Sequence, residues 1–136
     1  MQTLLGIWRL IEGYALDTSG NRLPSPLGPQ PMGIAEFSPE RMIGIVVDAR
    51  VALPSSVNSR AFIAYSGTYR FDGDEFITSV DSASDLTLVG TEQKRRVKFD
   101  GTCMIVSPIN EVLATQPGSL EFVWERVGTD SKQKTG

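Results

Sequence analysis

Gly6-Ile7-Trp8-Arg9-Leu10 near the start of the chain and Leu120-Glu121-Phe122-Val123-Trp124-Glu125-Arg126-Val127 near its end decide the reading of the fold. Both alternate with period two, the pattern of a strand that buries one face and wets the other. In the first, Trp8, Leu10, Glu12 and Tyr14 share a face; in the last, Leu120, Phe122, Trp124 and Arg126 do. Set side by side, the two segments would close a sheet on itself and bring Arg126 over the Trp8 indole. A closed sheet encloses a lumen, and a lumen can hold a small molecule.

Between these ends the chain is punctuated by turns. Ile34 to Phe37 and Met42 to Val47 read as a hairpin around Ser38-Pro39-Glu40. Phe62 to Phe71 alternates, with Tyr65, Gly67, Tyr69 and Phe71 on one face. Asp72-Gly73-Asp74 follows as a hairpin turn, since Asp-Gly suits the positive φ angles of tight turns. The next strand, Glu75 to Asp81, groups Phe76, Thr78 and Val80; Gly90 to Phe99 then sets Gln93, Arg95, Val97 and Phe99 against Glu92, Lys94, Arg96 and Lys98. A second turn at Asp100-Gly101 leads into Thr102 to Ser107. Asp17 to Pro31 is a long Pro- and Gly-rich loop that could serve as a lid, and Ser55 to Ala64 is expected to hold a helical turn or short helix. Roughly eight strands joined mostly by short turns imply an antiparallel meander, with a two-sheet sandwich as the competing closure.

Composition sets the outer bounds. The 136 residues suffice for one domain, read here as a barrel over 1–128 followed by a polar tail, 129–136, expected to be disordered. A net charge of −3 argues against a nucleic-acid partner, and no apolar run approaches the roughly 20 residues of a membrane helix. With the first strand pattern starting close to Met1 and only one cysteine, Cys103, the expected compartment is the cytoplasm. Histidine is absent, which removes a Ser-His-Asp triad, an imidazole base and a His-based zinc site. No metal and no cofactor are expected.

Five segments taken in order resemble the bacterial and fungal lipocalin-like domain family: Gly6-Ile7-Trp8-Arg9-Leu10, Phe62-Ile63-Ala64-Tyr65-Ser66-Gly67-Thr68-Tyr69, Asp72-Gly73-Asp74, Val89-Gly90-Thr91-Glu92-Gln93 and Val123-Trp124-Glu125-Arg126-Val127. The resemblance runs from Leu4 to Val127, and its most specific part is the Ala-Tyr-Ser-Gly-x-Tyr run followed by Asp-Gly-Asp and Gly-Thr-Glu-Gln. It implies an all-β, eight-stranded antiparallel up-and-down barrel with at most one short helix, and Trp8 plugging one end beneath Arg126. Such barrels include carriers, isomerases and cyclases. Family members often carry histidines in the strand after Asp-Gly-Asp, where this chain has Thr78 and Ser79, and a glycine in the second turn, where it has Ser38-Pro39-Glu40-Arg41.

Strict alternation would place Glu12 and Arg95 inside together. A buried carboxylate and guanidinium are costly unless paired, so the two are expected to form the polar anchor of a cavity. In an enzyme Glu12 would be the acid or base and Arg95 the oxyanion stabiliser. A one-residue slip in phase would turn Glu12 into a surface residue, and an internal pair could serve only to fix register. The expected ligand wall comprises Leu10, Tyr14, Tyr65, Tyr69, Thr78, Gln93 and Trp124, while Trp8 and Arg126 close the barrel. The leading expectation is a binder of a small, mostly apolar molecule. Its rivals are a cofactor-free isomerase or cyclase acting on a secondary metabolite, and a filled barrel acting through its surface or as a homodimer, for which Ile43, Ile45 and Val47 would offer an apolar outer face.

Overall fold

Both terminal strands owe their place to the alternation of their side chains, and in the computed structural model, which describes residues 2–109 and 119–128, they lie against each other. Strand β1 (Gly6–Leu16) runs antiparallel to the last strand over nearly its whole length, from Ile7 opposite Gly128 to Leu16 opposite Ser119. Between them come β2 (Arg22–Leu23), β3 (Pro31–Phe37), β4 (Arg41–Asp48), β5 (Phe62–Phe71), β6 (Glu75–Ala83), β7 (Glu92–Asp100), β8 (Cys103–Pro108) and the closing β9 (Ser119–Gly128). Apart from the two-residue β2, which pairs only with the end of β1, these strands form a closed, eight-stranded antiparallel barrel in sequence order. Among the described residues each strand of that wall pairs with a neighbour on both sides, and a sandwich is excluded.

The turns follow their local chemistry. Gly73 and Gly101 adopt φ of 104° and 62°, in the region where side chains with a Cβ are strained. Asp72 fixes the first turn, its carboxylate accepting from the amides of Asp74 at 2.9 Å and Glu75 at 2.8 Å. The helix expected within Ser55 to Ala64 is not there: that segment is irregular until β5 begins at Phe62. The helical turn instead lies at Leu86–Leu88, a single 3-10 turn capped by the Asp85 carboxylate on the Thr87 amide. Within Ser55 to Ala64 a turn closed by the Val57 amide donating to the Pro54 carbonyl at 2.9 Å is not continued into a helix. No helix among the described residues is long and apolar enough to cross a membrane. The expected tail, 129–136, lies outside the described residues.

At the end where β1 begins, the core is dense. Trp8 is 1% exposed, its indole donates to the Leu4 carbonyl at 2.9 Å, and Arg126 lies 4.1 Å above its ring. The same guanidinium donates to the carbonyls of Leu5 and Thr3 at 2.5 and 2.8 Å. One charged side chain therefore satisfies two terminal carbonyls and covers an aromatic face, which fastens the chain ends together.

Candidate functional site

Toward the other end of the barrel the filling is incomplete. Two facing inward positions of β3 and β4 are small: Ala35 lies directly opposite Gly44, with Phe37 opposite Met42 next to them. Ala35 and Gly44 leave the space that larger side chains would take. The result is a cavity of about 280 Å³, at the small end of the range of roughly 300–1,000 Å³ usual for ligand pockets. Phe76, Met104, Val106, Phe122 and Trp124 are among the other residues of its wall. Among the described lining residues Arg95 alone is charged, and Tyr65 alone adds a hydroxyl.

The loop between β1 and β3 reaches over this space. Pro26 and Leu27 line the cavity, and Leu27, in the middle of a polar and proline-rich segment, is only 4% exposed. The loop is held by its own Ser25, whose hydroxyl accepts from the Leu27 amide at 3.0 Å, and by the Ala49 amide donating to the Gln30 carbonyl at 2.8 Å. Below it sits Asp48, 1% exposed, whose carboxylate takes the guanidinium of Arg50 at 2.6 Å and its backbone amide at 3.1 Å. The Arg50 guanidinium holds the Asp48 carboxyl below its ordinary range, with burial opposing. Arg60 braces the segment from Asp48 to Arg50 by donating to the carbonyls of both residues.

Arg95 is the polar element of the cavity itself. It stands on the inward face of β7, opposite Phe76 of β6 and Pro108 of β8. Its guanidinium donates to the Gln93 side-chain oxygen at 3.2 Å and to the Lys94 carbonyl at 2.9 Å. Gln93 in turn donates to the Thr91 hydroxyl at 2.9 Å. Because β7 is four strands round the barrel from β3, Arg95 faces the Ala35 wall across the lumen.

Glu12 does not join it. A bulge in β1 places Leu10 opposite Trp124 but Glu12 opposite Val123, so one residue, Ile11, is inserted and the phase reverses. Glu12 consequently points outward and pairs with Arg22 at 2.7 Å, both side chains substantially exposed. The acid–base pair of Glu12 with Arg95 is not assembled. The same reversal takes Tyr14 off the lumen: its hydroxyl donates to Glu121 at 2.8 Å and Arg22 lies 3.9 Å over its ring. Burial, with Glu121 beside it, pushes the Tyr14 phenol above its usual pKa.

The remaining expected positions divide. Tyr65 and Trp124 line the cavity. Leu10 is core, packed among the buried aromatics. Tyr69 faces inward but donates to the Ser38 carbonyl at 2.7 Å and packs edge-on against Phe37, with ring centres 5.2 Å apart. Thr78 is fully buried, and Gln93 lies directly opposite it. On the outer face Ile43 and Ile45 are exposed, as the strand phase requires, and Val47 is half-buried. Pro26, Leu27, Ala35 and Gly44 were not expected in the site. Alternation in β3 and β4 carried the signal for Ala35 and Gly44; nothing periodic marks Leu27. Among the described residues no group of three or more His, Cys, Asp or Glu is placed to hold a metal.

Comparison with known proteins agrees with this architecture. The sequence model of the lipocalin-like domain matches residues 55–127, more than half of the chain. No curated protein and no solved structure gives a significant match. The closed barrel and the extent of that match place the chain in the lipocalin-like domain family.

Proposed function

We propose that the protein binds a small, mostly apolar molecule in the barrel cavity, with Arg95 receiving its polar end. The observation that carries this reading is the contrast within one space: an apolar cavity of about 280 Å³ with a single charged group on its described wall. An apolar body gains from burial against Phe76, Val106 and Trp124, at roughly 25 cal/mol per Å² of surface removed from water. A polar end gains a charge-assisted hydrogen bond from the guanidinium.

Gly44 gives the reading a sharp test. A Cβ built there would have as its nearest neighbours the Ala35 Cβ at 3.7 Å, the Met42 Cε at 3.8 Å and the Ile34 carbonyl oxygen at 4.0 Å, ordinary contacts. Gly44→Val should therefore fold, and its branched side chain should fill the lumen. In a thermal-melt screen against small amphipathic compounds, the parent protein should be stabilised by some of them, by about 2.7 kcal/mol at a hundredfold excess over Kd. Gly44→Val should lose those shifts while melting close to the parent temperature. Failure of every compound to raise Tm, or undiminished shifts in Gly44→Val, would overturn the cavity-binding reading.

A further inference from the structure

The outer surface of the barrel is uneven. On β7 the outward side chains are Glu92, Lys94, Arg96 and Lys98, all exposed and all charged. On β3 and β4 they include Met32, Ile34, Ile43 and Ile45, which with Phe62 of β5 are each between 40% and 56% exposed. Strand register joins these residues into rows across the sheet: Met32, Val47 and Phe62; Ile34, Ile45 and Ala64; Glu36, Ile43 and Ser66. Alternation turns Met32, Ile34 and Ile43 to the side of the sheet opposite Ala35 and Gly44. A single exposed isoleucine is ordinary on a strand, whereas a contiguous apolar patch of several hundred Å² marks a contact surface.

We propose that this face binds a second copy of the chain in a two-fold dimer, an inference independent of the cavity-binding reading. Area and charge both select a second copy. A stable interface takes about 800 Å² from each partner, with an apolar core and a polar rim. The isoleucine rows supply such a core, and Arg9, Glu36, Arg41 and Ser66 lie around it in the ladder. The Glu36 carboxylate has no ion-pair partner among the described residues. Arg41 is half exposed and binds Asp81 and Ser66 through one nitrogen of its guanidinium. Place the two-fold axis along the strands, between β3 and β4, and each row lies over its own reversal. Ile34 then covers the second copy's Ile45, Met32 covers its Val47, and Glu36 covers its Ile43. Two residues along β4 from Ile43, on the same face, stands Arg41. Each Glu36 therefore meets the second copy's Arg41, and symmetry makes the pair twice, as an isologous interface requires. An axis across the strands would set Glu36 over Met32 and bury a carboxylate against a thioether, which is costly.

Sedimentation velocity over a concentration series tests this on the full chain. The parent protein should pass from monomer to dimer as concentration rises. Ile34→Lys sets a charge at the centre of the patch, on an exposed position, and should weaken association by more than about a hundredfold with the far-UV circular dichroism unchanged. Glu36→Lys should weaken it by about tenfold, since like charges then meet at the second copy's Arg41. Adding Arg41→Glu to Glu36→Lys should recover most of that loss. Should Ile34→Lys misfold, Glu36→Lys and the double variant decide alone. A parent that stays monomeric at every concentration overturns the inference, and pelleting of that monomer with phosphatidylcholine vesicles, lost in Ile34→Lys, would give the face to lipid instead. A dimer that Ile34→Lys leaves intact uses another surface, and a dimer indifferent to Glu36→Lys lacks the two-fold pairing; either result overturns it too.

Discussion

A charged residue's value is set by what surrounds it, and Glu12 and Asp48 show the two extremes. Glu12 meets Arg22 at 2.7 Å with 45% of its side chain exposed. Pairs of this kind contribute about 0.2–1 kcal/mol, since water competes for both partners and two long side chains must be ordered. Glu12→Gln should accordingly shift stability by less than about 1 kcal/mol and leave ligand affinity in the cavity unchanged. Urea unfolding and a titration with a cavity probe would check both halves. A loss of affinity would mean that the carboxylate acts at the lumen after all. Asp48, in contrast, has every approach from water blocked, and Arg50 meets it with both its guanidinium and its backbone amide. Composition and spacing give Glu12 and Asp48 the same chemistry; only the folded surroundings separate them.

At the level of the strand, the decisive event is the bulge after Leu10. The sequence announces β1 by Trp8 and Leu10, and the pairing with β9 could be read from their match to Arg126 and Trp124. It does not announce the inserted Ile11, because an isoleucine fits a strand whether or not it is bulged. Every assignment downstream of it therefore came out on the wrong face: Glu12 and Tyr14 outside, Gly13 and Ala15 inside. Arg95, Tyr65 and Trp124 sit where alternation put them, because no bulge separates them from the residues that set their phase. Gly13 records the cost of the reversal. A Cβ there would come within 2.8 Å of the Phe122 ring, which walls the cavity. Gly13→Ala must push that ring aside, and overpacking of this kind costs about 1–3 kcal/mol. The ring's displacement should also alter the cavity, so a lower Tm and a changed probe affinity are expected together. A variant of unchanged stability would show that β1 after the bulge has more freedom than its pairing with β9 suggests.

Across the whole molecule, the two ends of the barrel are closed by different physics. One end is shut by Trp8 and Leu4, both 1% exposed, with Arg126 bonded to backbone carbonyls, and none of those contacts needs a carboxylate. The other is covered by the strap of Pro26 and Leu27, seated on the Asp48–Arg50 pair: a Cβ at Gly28 would lie 2.9 Å from both partners. Loop composition suggested a lid over this end, but the fastening depends on residues from two other segments and had no local signature. Arg50 draws the Asp48 carboxyl below its unfolded-chain pKa. A depressed carboxyl contributes stability that is complete above the unfolded value and is lost as pH falls through the folded one. Acidification should therefore loosen the strap before the tryptophan end. The Ala49 amide, bonded to the Gln30 carbonyl, should lose its hydrogen-exchange protection at a higher pH than the Trp8 indole, bonded to the Leu4 carbonyl. Asp48→Asn, which has no carboxylate to protonate, should show weaker Ala49 protection at neutral pH and little further loss on acidification. Simultaneous loss at both ends, with Asp48→Asn behaving as the parent, would mean that the barrel opens as one unit and that the Asp48–Arg50 pair does not govern access to the lumen.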